Sequence, residues 1–496
     1  MDSMDNTQSN ISGKSVVSNM LWRLAERIGA QGVNFIVSVV LARILTPEDF
    51  GIVALTTTFT TILAVFMTSG LGISLIQKKD IDELDKSTAL FANIGAGIIL
   101  YAIVFFAAPY VASFYHQPRV TEVMRVLALT LVIGGLNSIQ HALVSRAMKF
   151  KMFFRATLTG TLTSAVVGIW LAMKGFGVWA IVAQHLTNQA IDSIFLWFMI
   201  GWRPQLRFSW KRFKPLFGFG SRAYGAAMIE TVYNSLRSLL IGRWYSGTDL
   251  AFYNRGRHIP ALINLNTNQA IQSVMFPAYA RAADDPVKLK QMMKRAMSIG
   301  AFIIFPSMMG LALVSESLIN VLYTAKWQPA VPYLQIACFV YALNPMHVVN
   351  IQALLAVGRS DIRFRVEIIK KVIAVTVMVI CVNISLMATA FSAVPLGIFA
   401  LVINSWPVSK LLNYPLTEQL RDVSAAFLLS LAMGILVWLV GLLQIKNILR
   451  LILQVAVGVA SYCLLAKLTK NKDYDYCRNY ALGVIRKLGF GKQRGE

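Results

Sequence analysis

Apolar runs of about twenty residues recur from one end of this chain to the other, each long enough to cross a hydrocarbon core as a helix. Backbone amides and carbonyls have no water to bond inside a bilayer, so such runs must satisfy one another as helices. Composition agrees with this reading. Hydrophobic residues make up 56% of the 496 and charged residues 14%, against roughly 25% charged in soluble domains. Too few charges remain to cover a soluble protein of this size, and the fold class is an all-α polytopic membrane protein.

Fourteen spans are predicted, at 15–44, 50–76, 88–108, 120–145, 153–173, 176–200, 217–243, 251–280, 293–320, 328–356, 366–387, 390–412, 422–443 and 447–467. They divide the chain into an N-terminal segment (1–14), a six-helix lobe (15–200) and an interfacial linker (201–216). A second six-helix lobe (217–412), two further helices (413–468) and a basic tail (469–496) follow. The first dozen residues carry neither a basic stretch nor an A-x-A site, so the first span is expected to serve as the insertion signal.

The net charge is +24, and its distribution excludes a nucleic-acid reading. Of 47 lysines and arginines, 34 fall in segments on one side of the predicted spans, ten on the other, and Arg23, Arg27 and Arg237 within spans. Such asymmetry marks the cytoplasmic side, and it predicts both termini there. In the tail, Leu482, Ile485 and Leu488 lie opposite Arg478 and Arg486. That pattern suits either an amphipathic helix on the anionic inner leaflet or a solvated basic tail.

A repeat emerges when the chain is shifted by 200 residues. Asn34 then meets Asn234, Ser38 meets Ser238, Arg43 meets Arg243 and Asp49 meets Asp249. LARILTPEDFG aligns with IGRWYSGTDLA, and equal span direction makes the repeat a parallel one.

Several chemistries are disfavoured by what the sequence lacks. No GxxxxGK[ST], HExxH or GxSxG segment occurs, and Cys338, Cys381, Cys463 and Cys477 have no metal or redox spacing. No connection is long enough to carry the catalytic loop of a membrane polymerase or ligase. The informative residues are therefore the polar ones inside spans. In the first span Arg23, Glu26 and Arg27 join Asn19, Gln31, Asn34 and Ser38 within an arc of about 140°. Three charges within five residues are poorly tolerated against lipid, so this face is expected to line water or protein, or its arginines to snorkel toward phosphates.

The sixth span adds Gln184, His185, Asn188, Gln189 and Asp192 on one face, with His185 and Asp192 as candidate proton-coupling groups. Glu230, Asn234, Arg237 and Ser238 share a face of the seventh span. Seven residues separate Glu230 from Arg237, about 10.5 Å along the axis, too far to pair directly. The eighth span is the most polar, with Asn264, Asn266, Thr267, Asn268, Gln269, Gln272 and Ser273 between Pro260 and Pro277. Amides and hydroxyls provide the donors and acceptors that sugar hydroxyls need. Arg255, Arg257 and His258 form a basic cluster near its outer end, and Thr56, Thr57, Thr60 and Thr61 a milder stripe on the second span.

LARILTPEDFGIVAL, HALVSRAMKFK, KGFGVWAIVAQ, IGRWYSGTDLAFYNRG and SVMFPAYAR, in this order, resemble the Wzx-type polysaccharide exporter family over roughly residues 12–420. The likeness is to the branch with the colanic acid and teichuronic acid exporters. It implies the multidrug/oligosaccharidyl-lipid/polysaccharide exporter fold: two six-helix lobes around a central cavity, and two additional C-terminal helices. It also implies a flippase, not an enzyme, that moves undecaprenyl-diphosphate-linked oligosaccharide from the cytoplasmic to the periplasmic leaflet of a bacterial inner membrane by alternating access.

Partners so implied are that lipid-linked substrate, membrane lipids, and a polysaccharide polymerase with chain-length machinery. No cofactor is expected, and a coupling ion would be H⁺ or Na⁺. Arginine is the preferred bidentate partner of phosphate. Related lipid II flippases use arginines of the first and eighth helices, which points to Arg23, Arg27, Arg255 and Arg257, with Arg237. Asn264, Asn268 and Gln272 suit the glycan. Glu26, Glu230, Asp192 and His185 are gate or coupling candidates, with Glu230 pairing Arg27 in a closed state. The competing readings are an ion-coupled small-molecule efflux pump, which a cationic site disfavours, and a membrane oligosaccharide polymerase or ligase.

Overall fold

The computed structural model describes the backbone of residues 13–489 except Ser69. It describes the side chains of residues 29–479, except those of Ser69, Phe219, Arg222, Ala223, Ala226, Ala270, Ser273, Val274 and Phe276, and also that of Leu482. The described residues contain twenty α-helices and no strand. In order they are α1 Gly13–Ile44, α2 Pro47–Thr68, α3 Leu71–Gln77, α4 Glu83–Phe114, α5 Val120–Leu127, α6 Leu129–Arg146, α7 Phe150–Met173, α8 Val178–Ile200, α9 Trp210–Trp244 and α10 Gly247–Ala280. Then come α11 Pro286–Leu313, α12 Ser315–Tyr323, a 3₁₀ turn at Ala325–Ala330, α13 Val331–Ala342, α14 Asn344–Ala356 and α15 Ser360–Val382. The last five are α16 Leu386–Phe391, α17 Ala393–Leu412, α18 Leu416–Gly441, α19 Asn447–Leu468 and α20 Lys472–Gly489.

Each predicted span is helical, but several are broken. The span predicted at 50–76 divides into α2 and α3 beside Gly70, and 328–356 divides before Asn344-Pro345. Proline has no N–H to give the preceding turn and restricts the residue before it. The helix predicted from 217 begins at Trp210, and α10 runs helical through both Pro260 and Pro277. Among the described residues nine stretches are long and apolar enough to cross a membrane. Five predicted spans fall outside that set, in α1, α8, α9, α10 and α15. Four of the five carry the polar stripes noted above, and α15 carries Arg363, Arg365, Glu367, Lys370 and Lys371. Large apolar side chains such as Ile99, Phe106, Trp170, Phe198, Phe364 and Trp438 are exposed. Such a surface is stable against lipid tails and would aggregate in water.

The chain divides between Ala251 and Phe252 into two compact units. In the first, α7 packs along α1 and α8, and α6 packs against α4 and α8. Gly160 permits the α7–α8 approach, since a Cβ there would lie 2.9 Å from the Asn188 carbonyl oxygen. Residues 201–209 are not helical and are fastened to the start of α4. Trp202 Nε1 donates to Glu83 (2.5 Å), and Ser87 Oγ and Thr88 Oγ1 accept from the backbone N–H groups of Gln205 and Ser209. Arg212 donates to Asp82 at 2.7 Å, and the Asp82 side chain caps α4 by accepting from Asp85 N. Partial burial works against ionisation of Asp82, but the Asp85 N–H, Arg212 and Lys78 hold its carboxyl below the usual range.

In the second unit α11 is the core element, lying against α13, α14 and α18. Met293, Met297, Val349, Ala353 and Tyr414 are among the most buried residues of its cluster. The tail helix α20 docks on α11: Ser298 Oγ donates to Asp473 (2.5 Å), Arg295 covers the Tyr476 ring, and Tyr474 and Cys477 pack against the core. Leu482 is exposed, while the side chains of Ile485 and Leu488 are outside the described residues.

The repeat is visible in local geometry. Thr46 Oγ1 donates to Asp49 at 2.7 Å, and Asp49 N donates back to Thr46 Oγ1. Two hundred residues later Ser246 and Asp249 make the same exchange, again with a 2.7 Å bond. A second echo has an offset of 210. The turn after α6 closes with Ala147 N to Leu143 O, Met148 N to Ser145 O and Lys149 N to Val144 O. The turn after α14 closes with Val357, Gly358 and Arg359 donating to Ala353, Leu355 and Leu354.

Candidate functional site

Arg23, Glu26 and Arg27 lie on α1, with their side chains outside the described residues. On α9, Glu230 is exposed and accepts from Asn234 Nδ2 at 3.1 Å, which satisfies one oxygen within a single turn. Arg237 is half-buried two turns later.

On α10 the arginines meet aromatic rings. Arg255 is 7% exposed, and its guanidinium lies 4.8 Å from the Tyr323 ring centroid and 4.9 Å from that of Trp327. Buried cations of this kind are held by ring quadrupoles, so Arg255 packs its own unit. Arg257 is half-buried, and its Nη1 and Nη2 donate to the hydroxyls of Tyr253 (2.8 Å) and Tyr341 (3.2 Å). A guanidinium has five N–H donors, so these two bonds leave others for an anion.

Lower on α10, Asn264 Oδ1 accepts from Asn344 Nδ2 (2.5 Å) and from Asn268 Nδ2 (3.4 Å). This amide ladder joins α10 to α14, and Gln272 is exposed one turn beyond Asn268. The threonine stripe of α2 is turned inward on its own helix. Thr56 donates to Ile52 O, Thr57 to Val53 O and Thr60 to Thr57 O, so these hydroxyls have used their donors.

A polar cluster with an ionisable pair lies where α6, α7 and α8 meet. Asp192 Oδ2 is 2.9 Å from His141 Nε2 and accepts from Asn137 Nδ2 at 2.8 Å, while Thr157 Oγ1 approaches Oδ1 at 3.4 Å. One turn away Asn188 Nδ2 reaches Thr161 and Ser164, and Gln189 Nε2 donates to Thr130 O. The His141 ring stacks on buried Phe153 with centroids 4.9 Å apart. Of the two coupling candidates, Asp192 is in this cluster and His185 is exposed outside it.

Sequence reading missed Asn137, His141 and Thr157. The signal was the polar run NSIQH (137–141), an amide and an imidazole four residues apart inside an otherwise apolar span.

The family described as "Polysaccharide biosynthesis protein" matches residues 40–332. The chain is 24% identical over 462 residues to the teichuronic acid biosynthesis protein TuaB of Bacillus subtilis, covering 91% of this chain and 95% of that one. It is 23% identical over 465 residues to the succinoglycan biosynthesis transport protein ExoT of Rhizobium meliloti, covering 93% and 94%. Among solved structures, lipid II flippase MurJ in its inward-closed conformation is similar, with a TM-score of 0.73 and 15% identity over 91% of this chain and 98% of that one.

Proposed function

Because the chain belongs to the polysaccharide biosynthesis protein family, we propose that it flips undecaprenyl-diphosphate-linked oligosaccharide between membrane leaflets. The observation that carries this reading is coverage. The likeness to two polysaccharide biosynthesis proteins and the fold shared with a lipid II flippase each run over about nine-tenths of the chain. The protein is a multi-pass membrane transporter, not an enzyme, since moving a lipid-linked sugar across a bilayer breaks no bond. The barrier is desolvation of the diphosphate and the sugar hydroxyls, and polar side chains inside spans lower it.

Arg23, Arg27, Arg237 and Arg257 are the diphosphate partners in this reading, with Arg255 supporting the fold around Arg257. Asn264, Asn268 and Gln272 contact sugar hydroxyls. Glu26 and Glu230 gate the site, Glu230 competing with diphosphate for Arg27, while Asp192 and His185 couple transport to an ion. In this reading the protein lies in the inner membrane, and the basic asymmetry of the connections supports both termini on the cytoplasmic side.

The test is reconstitution in proteoliposomes holding a fluorescent undecaprenyl-diphosphate disaccharide, with external dithionite reporting which leaflet it occupies. Wild-type protein should expose the inner-leaflet pool, and Arg27→Ala should slow that exposure about tenfold, the loss of one charge-assisted phosphate contact. An inner-leaflet pool that stays protected from dithionite with wild-type protein present rejects the function.

A further inference from the structure

We infer that His141 and Asp192 form a proton-binding site, through which a proton gradient drives the transport proposed above. The inference rests on the flippase reading for its purpose and on the geometry of the pair for its chemistry. An imidazole nitrogen and a carboxylate oxygen 2.9 Å apart attract one another only with a hydrogen between them. Asn137 Nδ2 lies 3.0 Å from the same nitrogen, His141 Nε2, so the amide, the imidazole and the carboxylate form one network; with a proton held between Nε2 and Oδ2, Nδ1 is left to exchange the second one. The Asp192 side chain is 13% exposed and that of His141 42%, so the proton enters and leaves through the imidazole.

The charge balance is simple. With His141 neutral and Asp192 ionised, the site carries one negative charge. One proton added at Nδ1 gives imidazolium beside carboxylate, a neutral pair, and loss of that proton restores the anion. α6 and α7 belong to stretches apolar and long enough to cross a membrane, where an isolated charge is costly. The loaded pair carries no net charge and the empty site carries one, so the two forms differ in the cost of passing between access states. Alternating access to the two sides turns this difference into coupling. The donors also select the ion. Oδ2 already receives the Asn137 amide and the imidazole, both of which turn hydrogens toward the position a sodium ion would occupy.

Among the residues with described side chains, neighbouring charges lie toward helix ends. Arg146 of α6 is bound to the carbonyls of Leu75, Ile76, Lys78 and Lys79. On α4, Lys86 pairs with Glu83, and Asp85 with Lys78. Lys151 and Arg155 stand at the start of α7, Glu48 and Asp49 at the start of α2, and Glu122 and Arg125 on α5, with Arg125 bonded to Phe105 O. α3 has no charged residue. Arg23, Glu26 and Arg27, on the α1 that packs along α7, have side chains outside the described residues.

Two measurements on the full-length protein test the site. In pH-difference infrared spectroscopy, wild type should show a proton-binding transition that His141→Gln and Asp192→Asn lack and His347→Gln keeps. In the dithionite assay, a proton gradient should speed wild-type flipping at least about fivefold, and both variants should ignore it. Asp192→Glu keeps the carboxylate and should keep part of the response, which serves if the amide variant is not recovered. A titration identical in wild type and His141→Gln, a gradient response surviving in both variants, or acceleration by a sodium gradient in place of protons would each overturn the site. Wild-type protein that flips nothing under any gradient would reject the transport function, while the infrared titration would still judge proton binding.

Discussion

In the first unit α6 meets α8 through Asn137, His141 and Asp192; in the second, α14 meets α17 through His347 and Asn404, whose nitrogens are 3.2 Å apart. With the offset of 210 that superposes the turns after α6 and α14, Asn137 corresponds to His347 and Gln140 to Asn350. Both units use a polar contact to hold equivalent helices in register, yet only the first of these contacts includes a carboxylate. The second is completed by an amide, which takes up no proton at neutral pH. The repeat has kept the scaffold and varied the chemistry, so function is sought where the halves differ and stability where they agree.

That comparison is most easily broken at the carboxylate. Asp192→Ala should reduce proton-driven flipping about fivefold, to the rate seen without a gradient, and Asn404→Ala should leave it within about twofold. Equal losses in the dithionite assay would mean that both contacts are structural.

The next contrast concerns stability. Asn350 is fully buried and donates to Gln419 Oε1 at 2.9 Å, whereas its counterpart Gln140, also fully buried, has no protein partner for either side-chain polar atom among the described residues. Asn350→Leu orphans Gln419 and should cost about 1–3 kcal/mol, while Gln140→Leu removes an unsatisfied amide and should be neutral or stabilising. Thermal unfolding in detergent measures both. A larger loss for Gln140→Leu would reveal a partner for Gln140 that the repeat comparison misses.

The smallest effect lies in the two turns. Met148 has φ of 52° and Gly358 has φ of 74°, the left-handed region in which a Cβ crowds the following carbonyl. Met148→Gly should stabilise the first unit by about 1 kcal/mol, and Gly358→Ala should destabilise the second by about the same amount. Unfolding midpoints that move in the same direction would show that the turns are not equivalent.

Helix, membrane class and repeat were legible in the sequence because each is local. Twenty apolar residues decide a span by themselves, and Thr46 with Asp49 decides a helix start within four positions. The helix breaks at Gly70 and before Pro345 are equally local, although hydropathy averages across them. The candidate site was half legible. Asp192 stood out as a carboxylate inside a span, but its partner is 51 positions away on α6, and helical spacing on α8 directed attention to His185 instead. Arg255 presented itself as one of a basic cluster suited to diphosphate, and only packing brought its guanidinium against the rings of Tyr323 and Trp327, which follow it by about seventy residues.

The sequence by itself determined that this chain is a bundle of membrane helices with a duplicated plan and polar faces. Periodicity along one helix specifies which side chains share a face, and that information lies wholly within the segment. Tertiary structure alone decided which polar groups meet. A buried donor or acceptor is satisfied by whatever the neighbouring helix brings within about 3 Å, and the rotation and approach of that helix depend on the packing of every other side chain between them.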